Sequence, residues 1–191
     1  MNRVGILGGT FDPPHNAHIV MAETALERVP LDRVLLMPAP RPPQKDAADI
    51  SPYDYRVEMA RRAIAGREAV DISLLEEFRS GPSYTADLLE HFKSTTGDEP
   101  FLILGADSVA DLAAWKDPER ILAAATLIVF PRTGYSSRVP VPGPASVIRF
   151  DSPVIDVSST GIRERIRNGE DVGADVPGPV FEFILDNGLY S

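Results

Sequence analysis

Short runs of branched and aliphatic residues recur along this chain, separated by stretches of helical period. That alternation constrains the fold more than any other feature, because it is the pattern of a parallel sheet with crossover helices. Arg3 to Leu7 reads as a buried first strand and Ala17 to Arg28 as the helix after it. Arg33 to Met37 is a second strand, followed by a proline-rich loop from Pro38 to Pro52. In the helix expected over Tyr53 to Ala65, Tyr53, Val57, Ala60 and Ile64 fall on one face. Ala69 to Ser73 then reads as a strand and Tyr84 to Phe92 as a helix capped by Ser83. Phe101 to Leu104 and Leu127 to Phe130 are further buried strands. Between them fall two short helices, Ser108 to Ala113 and Pro118 to Ala124, the second with its proline in the first turn. Residues 131 to 145 form a loop rich in Pro, Gly and Ser, and Val147 to Phe150 and Val154 to Val157 are candidate edge strands. A helix opening at Ser159-Thr160 stops at Gly169, and a last one runs from Pro177 to Asp186. The expectation is one α/β domain over residues 1–191 with a doubly wound, mainly parallel, Rossmann-like sheet. Within it, residues 1–157 form the core and 158–191 a small helical end.

Composition excludes several classes of function. With no cysteine there is neither a disulfide framework nor a thiolate nucleophile or ligand. The longest apolar runs, such as Ile121 to Phe130, are too short to span a bilayer, and Met1-Asn2-Arg3-Val4 leads straight into a strand pattern; a cytoplasmic protein is expected. Nineteen Lys and Arg against 28 Asp and Glu give a net charge of −9, which disfavours a nucleic-acid partner. A few arginines gathered at one pocket could still hold a phosphorylated small molecule. Arg132, Arg138, Arg163, Arg165 and Arg167 are the candidates.

The chemistry concentrates in two places. After the first strand, Gly8 and Gly9 let the backbone turn and approach a ligand, Thr10 adds a hydroxyl, and the loop enters a helix whose free N–H groups attract phosphate. His15 and His18 share a face of that first helical turn, where either could donate to phosphate and, if protonated, counter charge. A zinc site is the rival use of such a pair, but the glutamate of a His-Glu-x-x-His helix is missing. Neither a P-loop nor a Gly-x-Gly-x-x-Gly turn is present. Far along the chain, Ser158-Ser159-Thr160-Gly161-Ile162-Arg163 offers hydroxyls, backbone donors and a guanidinium at another helix start. Simple capping by Ser159 or Thr160 is the plainer use of those hydroxyls. Trp115 suits a stacking platform or the core, and Asp107 a ribose contact or a helix cap.

Gly8 to His18 resembles the T/H-x-G-H signature of the adenylyltransferase superfamily, with Ala17 at the usual glycine. Val157 to Arg163 resembles its Ile-Ser-Ser-Thr-x-Ile-Arg signature, with Val157 for isoleucine. Three further stretches resemble the bacterial nicotinate-mononucleotide adenylyltransferases in particular: Gly81 to Leu89, Leu104-Gly105-Ala106-Asp107 with Trp115, and the tail from Val176-Pro177 to Leu189-Tyr190. In place of that family's Pro-Pro-His-Lys the chain has Pro42-Pro43-Gln44-Lys45, which keeps the lysine.

The resemblance implies adenylyl transfer from ATP to nicotinate mononucleotide, giving deamido-NAD and pyrophosphate, by in-line displacement and with Mg2+ on the phosphates. It implies His15, His18, Lys45 and Arg163 as catalytic residues. It puts Gly8, Gly9, Thr10, Phe11, His15, His18, Asp107, Ser158, Ser159, Thr160 and Arg163 around ATP. It puts Lys45, Ser83, Tyr84, Thr85, Gly105, Asp107, Trp115 and Arg132 around the mononucleotide. A sister enzyme acting on nicotinamide mononucleotide or phosphopantetheine, and a non-catalytic nucleotide binder, are the alternatives. Oligomeric state stays open, a homodimer among the options.

Overall fold

Strands buried on both faces read as continuous apolar runs, and their side chains divide between two cores. The computed structural model describes residues 1–43, 45–77, 80–154 and 156–191. Its strands are β1 (Arg3–Gly9), β2 (Arg33–Pro38), β3 (Val70–Ile72), β4 (Glu99–Gly105), β5 (Thr126–Phe130) and β6 (Val147–Arg149). They form one sheet in the order β3-β2-β1-β4-β5-β6, parallel at every pairing. The helices are α1 (Asn16–Arg28), α2 (Tyr53–Ile64), α3 (Thr85–Thr96), α4 (Ala106–Ala110), α5 (Pro118–Ala124), α6 (Ser159–Arg167) and α7 (Gly178–Asp186).

Alternate residues of the central strands feed opposite cores. Leu7, Val34, Leu36, Phe101, Ile103, Ile128 and Phe130 meet Ile19, Ala22 and Ala25 of α1 and Met59 and Ala63 of α2 on one face. Val4, Ile6, Leu35, Met37, Leu102, Leu104, Leu127 and Val129 meet Leu88, Leu89 and Phe92 of α3 and Ile121 of α5 on the other. The C-terminal helices share the first core through Ile162, Val180 and Ile184, and α7 packs along α2.

Strand order reverses between β1 and β4, so their loops leave on opposite faces and a crevice opens at their carboxyl ends. The β1–β4 pairing reaches Ile6↔Leu102, whereas β1 stays paired to β2 as far as Gly9↔Pro38. The crevice therefore begins where the β1–β4 ladder ends, and Gly8, Gly9, Leu104 and Gly105 stand at its mouth.

Several local expectations are corrected. Ser83 does not cap α3: Tyr84 is the N-cap residue, and the Ser83 hydroxyl instead accepts the Arg41 N–H at 3.4 Å. The helix also runs one turn further than expected, to Thr96, and closes on Gly97 in the left-handed region. The helix expected over Ser108 to Ala113 is α4 followed by a 3-10 turn, Leu112–Ala114. Among the described residues of 154–157 there is no strand. Gln44 lies outside the described residues.

Candidate active site

The two glycines of β1 do different work from that expected of a tight turn. Both remain in the strand, and it is Phe11 that takes the left-handed backbone, at φ +53. A side chain on Gly9 would stand 3.3 Å from the Phe11 ring, while one on Gly8 would project into open space. Gly8 thus keeps the crevice wall bare, and Gly9 lets Phe11 fold beneath the turn. Phe11 is buried and presents its edge to His18, with ring centroids 4.9 Å apart.

His15 is the N-cap residue of α1, and its backbone N–H donates to His18 Nδ1 at 3.1 Å. With Nδ1 accepting, the proton of a neutral His18 sits on Nε2. The imidazoles stack at 3.8 Å. Burial, and then the Arg132 charge, push the His15 pKa down to about 3. Burial, His15 and Arg132 together hold that of His18 well below its ordinary value. Protonation, the condition for the imidazoles to counter charge, is not met in the free protein: burial keeps both rings neutral at pH 7, so each has one N–H available to a ligand. Ala17 lies inside α1, so its backbone carries no strain, and it forms part of the crevice wall.

The second motif docks on the first. Ser158, rather than Ser159 or Thr160, caps α6, accepting the Gly161 N–H at 3.1 Å and keeping its own proton to donate. The Ser159 hydroxyl donates to Pro13 O at 2.9 Å, and Arg163 Nη1 to Asp12 O at 2.7 Å. Ser159 can therefore offer an anion only its backbone N–H, while Arg163 retains further donors. Asp12 is buried and joins four segments: its carboxylate accepts from Tyr190 Oη at 2.6 Å and from the Ser51 N–H at 3.1 Å.

Three clefts meet at the crevice. The first is lined by Gly8, His15, His18, Gly105, Asp107 and Arg132, with Met21 and Phe130 as apolar walls. The second, about 320 Å³, is lined by Gly8, Gly9, Thr10, Lys45, Ser83, Tyr84, Thr85 and Trp115, with Met37, Leu102 and Leu104 at its floor. The third joins them and is lined by Thr10, Phe11, His15, His18, Lys45, Asp107, Trp115, Arg132, Ser158, Ser159, Thr160 and Arg163. Every residue that the resemblance placed at ATP or the mononucleotide thus lines one crevice. Gly105, Asp107 and Arg132, expected at the mononucleotide, all line the first cleft and none the second; Asp107 and Arg132 also line the third.

Gly105 is the N-cap residue of α4, which removes the capping alternative for Asp107; its carboxylate stands 3.8 Å from Arg132 Nε. Trp115 packs against the second core and also lines the second and third clefts. Of the five candidate arginines, Arg132 and Arg163 gather at the crevice. Arg165 is drawn away to Asp175 and Glu170, and Arg138 and Arg167 line none of these clefts.

Sequence reasoning missed Ser108, which lines all three clefts, Asp12, a largely buried residue lining the third, and Arg56, which is buried beneath them. The one available signal was Arg56, a charge beside the expected apolar face of α2.

The family model for cytidylyltransferase-like proteins matches residues 6–165. A nicotinate-nucleotide adenylyltransferase from Bacillus subtilis is 37% identical over 191 residues, covering 100% of this chain and 99% of its own. A protein of Clostridium botulinum named probable nicotinate-nucleotide adenylyltransferase is 38% identical over 198 residues, covering 100% and 98%. Among solved structures, the nicotinic acid mononucleotide adenylyltransferase of Plasmodium falciparum complexed with NaAD superposes with a TM-score of 0.85. It is 18% identical, with 100% of this chain and 98% of that one covered, a likeness of fold.

Proposed function

The chain belongs to the cytidylyltransferase-like family, and within it to the nicotinate-nucleotide adenylyltransferases; from that premise we propose that it transfers the adenylyl group of ATP to nicotinate mononucleotide. The products are nicotinate adenine dinucleotide (deamido-NAD) and pyrophosphate, a step of NAD biosynthesis. The observation that carries this reading is the junction of three clefts at His15, His18, Lys45 and Ser108, with Arg132 and Arg163 on the third. Two phosphorylated molecules entering from opposite sides of β1 would meet there.

In this reading the first cleft takes adenosine, the third the triphosphate and the second the mononucleotide. The mononucleotide phosphate is an anion at neutral pH and needs no general base. The barrier lies in aligning two polyanions and in the charge that shifts to the leaving pyrophosphate. His18 is suited to donate Nε2–H to that charge, because the bond from His15 N–H fixes its tautomer and the edge of Phe11 fixes its ring. Two neutral donors serve where two buried cations would repel each other and Arg132. Arg163, Lys45, Ser158 and the N-terminal amides of α1 and α6 would add positive potential. In the second cleft the N-terminus of α3, at Tyr84-Thr85, favours the pyridine carboxylate over a neutral amide, and Trp115 provides a face for the ring.

Mg2+ fits as an ion carried on the triphosphate. The third cleft is lined mainly by donors, and among the described residues no group of three or more His, Cys, Asp or Glu could hold a metal. When bound, it would screen charge on the leaving pyrophosphate. No helix among the described residues is long and apolar enough to cross a membrane, and a cytoplasmic site of action belongs to the same proposal.

Pyrophosphate release with ATP and either nicotinate or nicotinamide mononucleotide tests the reading. Release with the acid and much less with the amide is expected. No release with either would overturn the reaction, and equal rates would overturn the acid preference.

A further inference from the structure

Arg56 is a fully buried arginine on α2, only 1% exposed. A guanidinium taken from water needs acceptors in every direction, and here they are all backbone carbonyls from two loops. Nη1 donates to Thr10 O at 2.8 Å and to Ala39 O at 2.9 Å. Nη2 reaches Pro40 O at 3.4 Å and Nε donates to Ser51 O at 3.0 Å. The Ser51 N–H in turn donates to Asp12. One planar fork thus grips the turn after β1 and both ends of the loop after β2. Those two loops carry Thr10 and Lys45 into the second and third clefts.

We infer that Arg56 is a positioning residue that sets the spacing between the Gly9-Thr10 turn and the Lys45 loop, and through it the alignment of the two substrates' phosphates. The inference rests on the proposed reaction and adds a residue that touches neither substrate. A buried arginine of purely structural value would be expected to tie α2 to its own surroundings. Instead, none of its four hydrogen-bond acceptors belongs to a helix or to the interior of the sheet. Rigid spacing matters because misplacing reacting groups by about 1 Å costs on the order of 100-fold in rate. A lysine keeps the charge but has one nitrogen, which cannot span carbonyls arrayed around a planar fork.

Arg56→Lys is the first test, with Arg56→Gln, uncharged and carrying two donors, as the second variant. Hydrogen exchange is followed over residues 8–12 and 39–52, alongside kcat and KM for each substrate. Expected are faster exchange in both segments and a roughly ten-fold rise in mononucleotide KM with a comparable fall in kcat per folded molecule, partly regained when lysine replaces glutamine. In a Lys45→Ala background, Arg56→Lys should raise that KM by less than about three-fold, since both changes act on the same contact. Unchanged KM and kcat with only a lower Tm would overturn the inference. So would failure of both variants to fold, which would make Arg56 a requirement of the fold alone. If the wild-type protein releases no pyrophosphate, the reaction reading falls, while the exchange measurement still reports on the clasp.

Discussion

Acidifying the free protein from pH 7.5 to 5 should weaken it through the two stacked histidines, and the size of the effect follows from their burial. Burial and the Arg132 charge hold His15 neutral down to a pKa of about 3, whereas in the unfolded chain it titrates near 6.5. Between those values the unfolded state binds a proton that the native state does not, so stability falls as pH drops. Above pH 6.5 neither state is protonated and the effect vanishes; below about pH 3 it is complete. At pH 5 His15 alone should account for roughly 2 kcal/mol, a large share of the ~5–15 kcal/mol typical of a folded domain. His18, shifted in the same direction, adds to the loss. Urea unfolding of the wild type and of His15→Gln at both pH values isolates this contribution, because the carboxylates that also titrate cancel in the comparison. The wild type should lose about 2 kcal/mol more than the variant, equivalent to about 1 M in midpoint for a slope near 2 kcal/mol/M. Equal losses would refute the reasoning, since they would mean that His15 takes up its proton as readily folded as unfolded.

Three further outcomes are expected. His18→Ala should leave the fold intact and lower turnover on the order of 100-fold, as for loss of one transition-state donor; near-normal turnover would remove His18 from the mechanism. Tyr190→Phe deletes the 2.6 Å bond to buried Asp12 and should destabilise the protein by roughly 1–3 kcal/mol in urea unfolding. An unchanged midpoint would show that Asp12 is satisfied without it. Trp115→Ala should raise the mononucleotide KM up to about ten-fold, with Trp115→Phe recovering most of it, in line with a stacking contact of about 1 kcal/mol. Equal changes in the ATP KM would argue against that placement of the ring.

The alternation of strand and helix was legible because it is local. Burial on both faces makes β1, β4 and β5 continuously apolar, and Pro118 and Gly169 mark a helix start and stop through their own backbone preferences. Both glycine- and hydroxyl-bearing motifs were visible for the same reason, each being a few consecutive residues at a helix entrance. The sequence could also suggest that the motifs meet, since loops at the carboxyl ends of a parallel sheet converge.

What lay beyond it were features set by residues distant in the chain. Nothing local marks Asp12 as the acceptor of Tyr190 Oη, or Arg56 as the donor to Thr10, Ala39, Pro40 and Ser51. Arg165 looked as available to phosphate as Arg163, and only the fold turns it toward Asp175. His15 and His18 could be paired from their spacing, but their charge depends on burial and on Arg132, which β5 delivers from far along the chain. Sequence by itself determined most of the strands and helices and the two helix-entrance motifs that open on the crevice. Tertiary structure decided which donors remain free to act and in what protonation state, because desolvation and hydrogen-bond competition exist only once the chain has closed around them.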